Sequence, residues 1–212
     1  MIASRMTRVR TAPWGATDPL LYDLMVDGAI THRQLWRHHG LRISELPVGF
    51  HSVERMVGES KHSRKVETIK FVTLGEREAS MTGAELRHLA IAAEARQALR
   101  VPGDKWETPF TDDFGYWFRN DGNVPDAVRK TGNEVWAVEV SVGSYSNDRI
   151  LEKATAFEER FDGQLWVCPT QRQAAGIERL LVGHNNVRVM AANPFAAGKP
   201  PPRSGWWRNR KS

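Results

Sequence analysis

The spacing of apolar residues near the start of the chain predicts two short helices. Asp18 and Pro19 form a helix start, in which a capping side chain precedes a first-turn proline, and Gly28 ends this helix. Thr31 then caps a second helix, which stops at Gly40. The apolar faces comprise Leu20, Leu21, Leu24 and Met25 in the first helix and Leu35 and Trp36 in the second. Both helices therefore offer one side to a core.

A third helix is predicted from about Ser52, because Val53, Met56 and Val57 recur at helical spacing. After Lys61 the period changes to that of a β-strand. The β-forming residues there are Val66, Thr68, Ile69, Phe71 and Thr73. Three helices, a basic loop and a β-ribbon are the order of a winged helix. In that arrangement the third helix enters the major groove of DNA and cations of the wing contact phosphates.

Polar and basic residues of this predicted helix and loop are the expected DNA contacts. They are Ser52, Arg55, Lys61, His62, Arg64 and Lys65. Only Glu59 and Glu67 dilute the positive charge of this region. Three-helix units also serve as structural or dimerising modules, so that alternative stays open.

A strongly helical pattern follows at residues 83–100. Its predicted buried face comprises Leu86, Leu89, Ala90, Ala93 and Ala98, with Arg87, Glu94 and Arg96 outside. His88 is expected on the helix surface, since no second metal-ligand type of residue lies at a matching spacing. The Val-Pro-Gly sequence at 101–103 ends the helix and marks the preferred domain boundary, although the helix can belong to either half.

The remainder of the chain predicts a sheet with helices packed against it. Strands are expected at 116–119, 135–142, 165–168 and 187–190, and helices at 149–160 and 171–181. Asp148 is the expected cap of the first of these helices. The fold class expected for the whole chain is therefore α+β, with a winged helix-turn-helix followed by an α/β domain built on a central mixed sheet.

Composition limits the classes of function. The chain has 212 residues, of which 41% are hydrophobic and 26% charged, as in soluble globular proteins. No apolar run is long enough to cross a bilayer, no signal peptide is evident, and Cys168 is the single cysteine. A cytoplasmic protein without a membrane partner is expected. No Gly-rich phosphate loop followed by Lys-Ser/Thr occurs, which argues against a P-loop NTPase.

A net charge of +5 is compatible with a polyanionic partner such as duplex DNA. The cations of the C-terminal tail at 196–212 have no acidic neighbour; they are Lys199, Arg203, Arg208, Arg210 and Lys211. The prolines at 200–202 and the pair Trp206-Trp207 indicate an extended segment. This tail is either a solvated extension, an arm that contacts phosphates, or the docking segment for a protein partner.

The stretch at 124–156 carries the candidate chemistry. Asp126 follows Pro125, Glu139 interrupts a Val-rich strand, and Lys153 lies on the helix after it. A buried carboxylate is costly unless it is paired or holds a metal ion. Hydrolysis of a phosphodiester needs acidic oxygens that hold Mg²⁺ and a cation that stabilises the transition state. We therefore expect Asp126 and Glu139 to ligate Mg²⁺ or Mn²⁺, and Lys153 to act on the attacking water.

Each of these residues also has a structural explanation. Pro-Asp is a frequent turn sequence, and strand alternation allows Glu139 to point toward solvent. Glu139 and Lys153 can instead form a structural ion pair. Tyr145, in the polar loop after the strand, is either a transesterifying nucleophile or a surface contact.

This constellation resembles the PD-(D/E)xK nuclease superfamily. The match is carried by Pro125-Asp126 and by Glu139 on the following strand, with Ser141 in the position of the motif's lysine. The resemblance implies that Lys153 replaces that lysine, since lysines displaced onto the following helix occur in the superfamily. Such folds often place an acid on an opening helix, and Glu107 is the residue at that point, although Thr108-Pro109 disfavours a helix there.

More closely, the chain resembles the replication-relaxation proteins of plasmids and other mobile elements. The resemblance runs from Asp18 to Leu181 through QLWRHHG, VPDAVRK, WAVEVSVGS, EKATAF and LWVCPT. It implies a winged helix, at 15–80, and a nuclease-like domain, at 104–195; the residues themselves predict the connecting helix at 81–103 and the basic tail at 196–212. The implied protein binds DNA and is a Mg²⁺-dependent endonuclease. The alternatives are a DNA-binding accessory factor with a vestigial nuclease fold and an assembly adaptor. The oligomeric state is open, and a dimer is allowed.

Overall fold

The computed structural model describes residues 19–46, 48–58, 66–109, 111 and 123–199. Within them the chain is an α+β protein with a three-stranded sheet in its first half and a five-stranded sheet in its second half. The α+β fold class expected from the sequence is confirmed. The strand predicted at 116–119 and most of the C-terminal tail lie outside the described residues.

The first half alternates short helices and strands. Its elements are α1 (Pro19–Asp27), β1 (Ala29–Thr31), α2 (His32–Gln34), which continues as a π-helical turn (Leu35–His39), a 3₁₀ turn (Ile43–Glu45), β2 (His51–Gly58) and β3 (Val66–Thr73). The strands pair antiparallel in the order β1-β3-β2. The two predicted helices are confirmed in place, and the expected cap of the first, Asp18, lies outside the described residues.

Thr31 caps the second helix as predicted. Its side chain accepts a hydrogen bond from the backbone of Gln34, and the Gln34 side chain accepts one in return from the Thr31 backbone. Gly28 and Gly40, which follow the two helices, have φ values of 75° and 65°, where a side chain would be strained.

The helix predicted from Ser52 is wrong, because residues 51–58 form β2. Val53 and Val57 are four residues apart, a spacing that places two side chains on one face of either a helix or a strand. Pairing with β3 decides between the two, since Val53 lies opposite Phe71 and Ser52 opposite Val72. Cross-strand contacts of this kind outweigh local propensity.

Two helices connect the halves: α3 (Glu76–Ala79) and α4 (Gly83–Ala98). Leu86 and Ala90 of α4 pack in a cluster with Phe71 of the first sheet. Ile91 and Ala95 pack with strands of the second sheet. The domain boundary predicted at residues 101–103 lies directly after α4. The two faces of this helix pack in different hydrophobic cores, so α4 belongs to both halves.

Three charged residues of α4 that were predicted to be exposed are buried: Arg87, Glu94 and Arg96. Glu94 accepts two hydrogen bonds from Arg37, at 2.6 and 2.9 Å. Arg96 contacts Asp27 at 2.7 Å and Asp23 at 2.6 Å on α1. The prediction failed because the middle of α4 is covered on both sides, so its charges are buried and bind partners on neighbouring elements.

The second half forms one mixed sheet. Its elements are β4 (Trp106–Glu107), β5 (Ala127–Thr131), β6 (Glu134–Val140), α5 (Asn147–Glu158), β7 (Gly163–Cys168), α6 (Gln171–Leu180) and β8 (Val187–Ala191). The strand order is β4-β5-β6-β7-β8, antiparallel up to β6 and parallel from β6 onward. Ser146, not Asp148, caps α5 by accepting a hydrogen bond from the Arg149 backbone at 3.2 Å.

The two faces of β6 serve different layers. Val138 and Val140 belong to the core shared with α4. Ala137 packs on the opposite face, in the core shared with Ala154 and Phe157 of α5. Glu139 alternates with the valines and therefore lies on the α5 side. In the described part of the chain, no helix has the length and apolarity that a membrane span requires.

Candidate metal and phosphodiester site

Asp126 lies beside Glu139 because of the register of two strands. Ala127 on β5 pairs with Val138 on β6, so the residue before Ala127 lies next to the residue after Val138. One carboxylate oxygen of Asp126, Oδ2, accepts a hydrogen bond from the backbone N–H of Val140 at 2.7 Å. The hairpin thereby fixes the Asp126 side chain at the end of the strand.

Lys153 reaches Glu139 from the helix above. Its Nζ lies 2.6 Å from Glu139 Oε1 and donates a second hydrogen bond to the Val124 carbonyl at 3.3 Å. Glu139 is 1% exposed and Lys153 is 5% exposed. The sequence-based alternative in which Glu139 points toward solvent is therefore wrong, because α5 covers that face of the sheet.

The carboxylate oxygens of Glu139 and Asp126 are held differently by the protein. In Glu139, Oε1 is bound by Lys153, whereas Oε2 is buried and has no hydrogen-bond partner among the described residues. In Asp126, Oδ2 is bound by Val140. A buried carboxylate oxygen without a partner carries a desolvation cost that a cation would relieve.

The electrostatic environment of Glu139 differs from that of an ordinary carboxyl group. Burial raises its pKa to about 8, and the nearby charge of Asp126 adds to the rise. Lys153 opposes the rise through its charge and its hydrogen bond, and Tyr145 opposes it through a hydrogen bond. The buried Glu139 carboxyl thus lies near one like charge, that of Asp126, and one opposite charge, that of Lys153, and a cation bound beside it would favour its ionised form.

Tyr145 belongs to this cluster and is half-buried. The Lys153 ammonium lies 5.3 Å from the centroid of its ring. Burial, together with the charges of Glu139 and Asp126, raises the pKa of Tyr145. The phenol therefore stays protonated at neutral pH, which suits a hydrogen-bond donor and argues against its use as a nucleophile.

His88 is the residue of this site that sequence reasoning missed. Its Nδ1 lies 3.5 Å from Asp126 Oδ1. The histidine comes from α4 and the aspartate from β5, 38 positions later in the sequence. Only the packing of α4 beside the hairpin brings them together, so no local spacing signals the contact.

Ser141, which the resemblance sets at the position of the motif's lysine, directly follows β6. It is buried, and its backbone N–H donates to the Val167 carbonyl at 2.8 Å. The ammonium group that lies beside Glu139 belongs to Lys153 on α5. Glu107 is placed elsewhere: it lies on β4 rather than on a helix and forms an ion pair with Lys130.

Asp126 and Glu139 are the side chains at this position that could hold a metal ion. Among the described residues, no three His, Cys, Asp or Glu side chains converge closely enough to form a metal cage. Mg²⁺ keeps several waters and binds through one or two carboxylates together with substrate phosphates. Asp126 and the unpartnered oxygen of Glu139 match that requirement.

Only two of the six predicted DNA contacts lie in the described part of the chain. Ser52 is exposed on β2. The guanidinium of Arg55 donates to three backbone carbonyls, those of Glu54, Ala79 and Met81. The other four, Lys61, His62, Arg64 and Lys65, lie outside the described residues.

No protein-family model, no curated protein and no solved structure matches this chain.

Proposed function

We propose that the protein is a DNA-binding protein of a mobile element with a Mg²⁺-dependent endonuclease site formed by Asp126, Glu139 and Lys153. The observation that carries this proposal is the convergence of two carboxylates and one ammonium group from separate elements. The buried Glu139 oxygen without a partner adds a specific place for a cation. This is the residue set of the PD-(D/E)xK nucleases, with the lysine on the following helix.

Each residue of the proposed site has a separate role. Asp126 and Glu139 would hold Mg²⁺, which supplies an activated water and neutralises charge on the phosphate when it is bound. Lys153 orients Glu139 through Oε1 and presents a positive charge beside the position of the attacked phosphate. Tyr145 stands against Lys153 and limits the positions that its ammonium group can adopt.

The first half of the chain supports a role in DNA binding. Its order of helix, strand, helix, turn and two strands, with the strands arranged β1-β3-β2, is compatible with a winged helix. In this proposal the 3₁₀ turn at Ile43–Glu45 corresponds to the third helix of a winged helix, and β2 and β3 correspond to the ribbon of the wing. The loop between them carries the predicted cations. The replication-relaxation resemblance is part of this proposal.

A non-catalytic DNA-binding accessory factor is the second candidate. One observation favours it: the Lys153 ammonium is bound to Glu139 and to the Val124 carbonyl, as in a structural ion pair. In that case the site stabilises the sheet and holds no metal ion. The two candidates differ in whether DNA is cut.

A cleavage assay separates them. Supercoiled, nicked and linear duplex DNA are incubated with the full chain and Mg²⁺ or Mn²⁺. Glu139→Gln should abolish cutting, whereas Glu134→Gln, an exposed acid on the same strand, should retain it. Absence of cutting under all conditions would reject the nuclease and leave the accessory factor.

A binding assay tests the DNA-binding half independently. Arg64→Ala combined with Lys65→Ala should weaken binding to duplex DNA and reduce the slope of log affinity against log salt by about two. Unchanged affinity and slope would reject the assignment of this loop as a wing.

A further inference from the structure

A polar cleft lies between the two halves of the protein, apart from the carboxylate site. Its volume is about 220 Å³. The lining includes Arg33, Glu67 and Arg87 from the first half and α4, and Pro169, Thr170 and Asn193 from the second half. Two guanidinium groups and one carboxylate give this lining a net positive charge.

The two arginines are fixed in different ways. Arg87 is 5% exposed, and its Nη1 donates to the Gly58 carbonyl at 2.6 Å. Arg33 is more accessible; its Nη1 donates to the Phe195 carbonyl at 2.5 Å, and its Nη2 contacts Glu67 Oε1 at 2.5 Å. Arginine is suited to phosphate because its planar group offers several N–H donors in a rigid fork.

The cleft and the carboxylate site lie at the same edge of the five-stranded sheet. Glu139 is the second-to-last residue of β6. Pro169 and Thr170 directly follow the last residue of the parallel strand β7. Arg87, which lines the cleft, and His88, which contacts Asp126, are neighbours on α4. Ligands of α/β sheets bind at the carboxyl ends of parallel strands.

The strands that border the cleft also lead to the predicted wing. Gly58 ends β2 and Glu67 lies at the start of β3. Residues 59–65 join these strands and carry four of the predicted DNA contacts. The cleft therefore lies at the ends of β2 and β3 that this segment joins.

We propose that this cleft binds a backbone phosphate of the nucleic acid, next to the phosphate at Asp126 and Glu139, with Arg33 and Arg87 as its ligands. This inference rests on the proposed function, because it assigns a second contact to the same substrate. In the free protein Glu67 occupies the guanidinium of Arg33, and the incoming phosphate replaces it. Glu67 therefore acts as a competing anion whose removal strengthens binding.

The chain offers a matched control pair on the same sheet. Lys70 and Glu54 form an exposed ion pair at 3.0 Å between β3 and β2. Arg33→Gln and Lys70→Gln remove the same charge, as do Glu67→Gln and Glu54→Gln. A difference in DNA affinity between the two variants of a pair is therefore caused by the position of the charge and not by the net charge of the protein.

The test measures binding of the full-length variants to fluorescent duplex DNA by anisotropy, with EDTA present so that no cutting occurs. Arg33→Gln should weaken binding about tenfold and lower the salt slope by about one, whereas Lys70→Gln should change the affinity less than about twofold. Glu67→Gln should tighten binding severalfold more than Glu54→Gln. Equal effects within each pair would overturn the proposal, and Glu67→Gln answers the question even if Arg33→Gln disturbs folding.

A second arm uses inorganic phosphate, followed by NMR shifts of residues around the cleft. If Arg33→Gln abolishes phosphate binding but leaves DNA affinity unchanged, the cleft serves free phosphate and the proposal is wrong. The two proposals can fail separately. Glu139-dependent cutting with no effect of Arg33→Gln on affinity rejects only the cleft, and position-dependent binding without cutting rejects only the nuclease.

Discussion

The ammonium group of Lys153 on α5 lies 2.6 Å from the carboxylate of Glu139 on β6, and both side chains are almost completely buried. The pair links the helix to the sheet at the point where Asp126 adds a second carboxylate. A buried ion pair is weak evidence for stability by itself, because the cost of removing both charges from water offsets much of their attraction. Its contribution is therefore best measured as a coupling between the two residues.

Replacement of one member of this pair should destabilise the protein. Lys153→Met leaves Glu139 without its charged partner and should lower the free energy of unfolding by about 3 kcal/mol, since Glu139 can take up a proton and avoid a larger cost. The double variant Lys153→Met with Glu139→Gln should recover part of the loss. Denaturant unfolding of the full cycle measures the coupling.

Arg149→Met is the control for that cycle. Arg149 lies on the same helix and forms an exposed pair with Glu152 at 2.7 Å. Its replacement should change the free energy of unfolding by less than about 1 kcal/mol. Equal losses for Lys153→Met and Arg149→Met would show that the buried pair contributes no more than a surface pair.

If the proposed metal site at Asp126 and Glu139 exists, removal of His88 should weaken its affinity for Mn²⁺. The ring contacts Asp126 on the oxygen that the Val140 backbone does not hold. Loss of a partner that orients a metal-binding carboxylate typically lowers metal affinity by a factor of 10 to 100. Because the His88–Asp126 contact is long, at 3.5 Å, we expect His88→Ala to lower the Mn²⁺ affinity by about tenfold. Electron paramagnetic resonance during a Mn²⁺ titration measures the free ion directly.

His184→Ala is the matched control, because His184 contacts Glu158 at 2.9 Å on another part of the surface. Mn²⁺ affinity should be unchanged in this variant. If His88→Ala and His184→Ala bind Mn²⁺ equally well, His88 has no part in the site.

The cluster between α1 and α4 predicts a pH dependence of stability. Asp27 is completely buried, and burial raises its pKa to about 6 even though Arg96 opposes the rise. The native state therefore holds a proton that the unfolded state releases near pH 4. The stabilisation from this proton is complete below the pKa of the unfolded chain and is lost as the pH rises through about 6.

The comparison with Asp27→Asn isolates this effect. The unfolding free energy of the native sequence minus that of the variant should decrease as the pH rises from about 4 to about 6 and then level off. Urea unfolding at a series of pH values gives the difference. A difference that grows over this range would mean that Arg96 holds the pKa of Asp27 below its ordinary value.

Two glycines should respond oppositely to the same substitution. A Cβ at Gly163 would lie 2.7 Å from the Trp136 ring, which is nearly buried, so Gly163→Ala should destabilise the protein by about 1–3 kcal/mol. A Cβ at Gly176, inside α6, meets nothing within 4 Å. Gly176→Ala should stabilise by about 0.5–1 kcal/mol. Thermal unfolding measures both, and the same sign for the two variants would contradict the packing at Gly163.

The parallel strands β6, β7 and β8 and the two helices between them could be predicted from the sequence, whereas β4 and β5 have no counterpart among the predicted strands. The parallel strands are rich in apolar residues, and each helix between them follows a capping side chain, as in Thr170 before α6. The candidate acids could be found for the same reason, since Glu139 interrupts an otherwise apolar strand. These signals are local, so they do not depend on the arrangement of the elements.

The exposure of α4 and the nature of β2 could not be predicted in this way. Arg87, Glu94 and Arg96 look like surface residues because charge normally marks the solvent side of a helix. Here a sheet packs on each side of α4, and the charges are buried against partners far away in sequence. Similarly, the spacing of Val53 and Val57 fits a helix or a strand, and only the pairing with β3 distinguishes them.

The sequence by itself determined the α+β class, the longer helices, four of the strands (β3, β6, β7 and β8) and the choice of Asp126, Glu139 and Lys153 as candidate residues, because each rests on a local pattern of polarity or capping. The tertiary structure decided what surrounds them. The strand register places Asp126 beside Glu139, and α5 covers Glu139 and brings Lys153 to it. The packing of α4 adds His88 on one side and opens the arginine cleft on the other. These contacts join residues far apart in the chain, so they exist only once the two sheets have packed against the same helix.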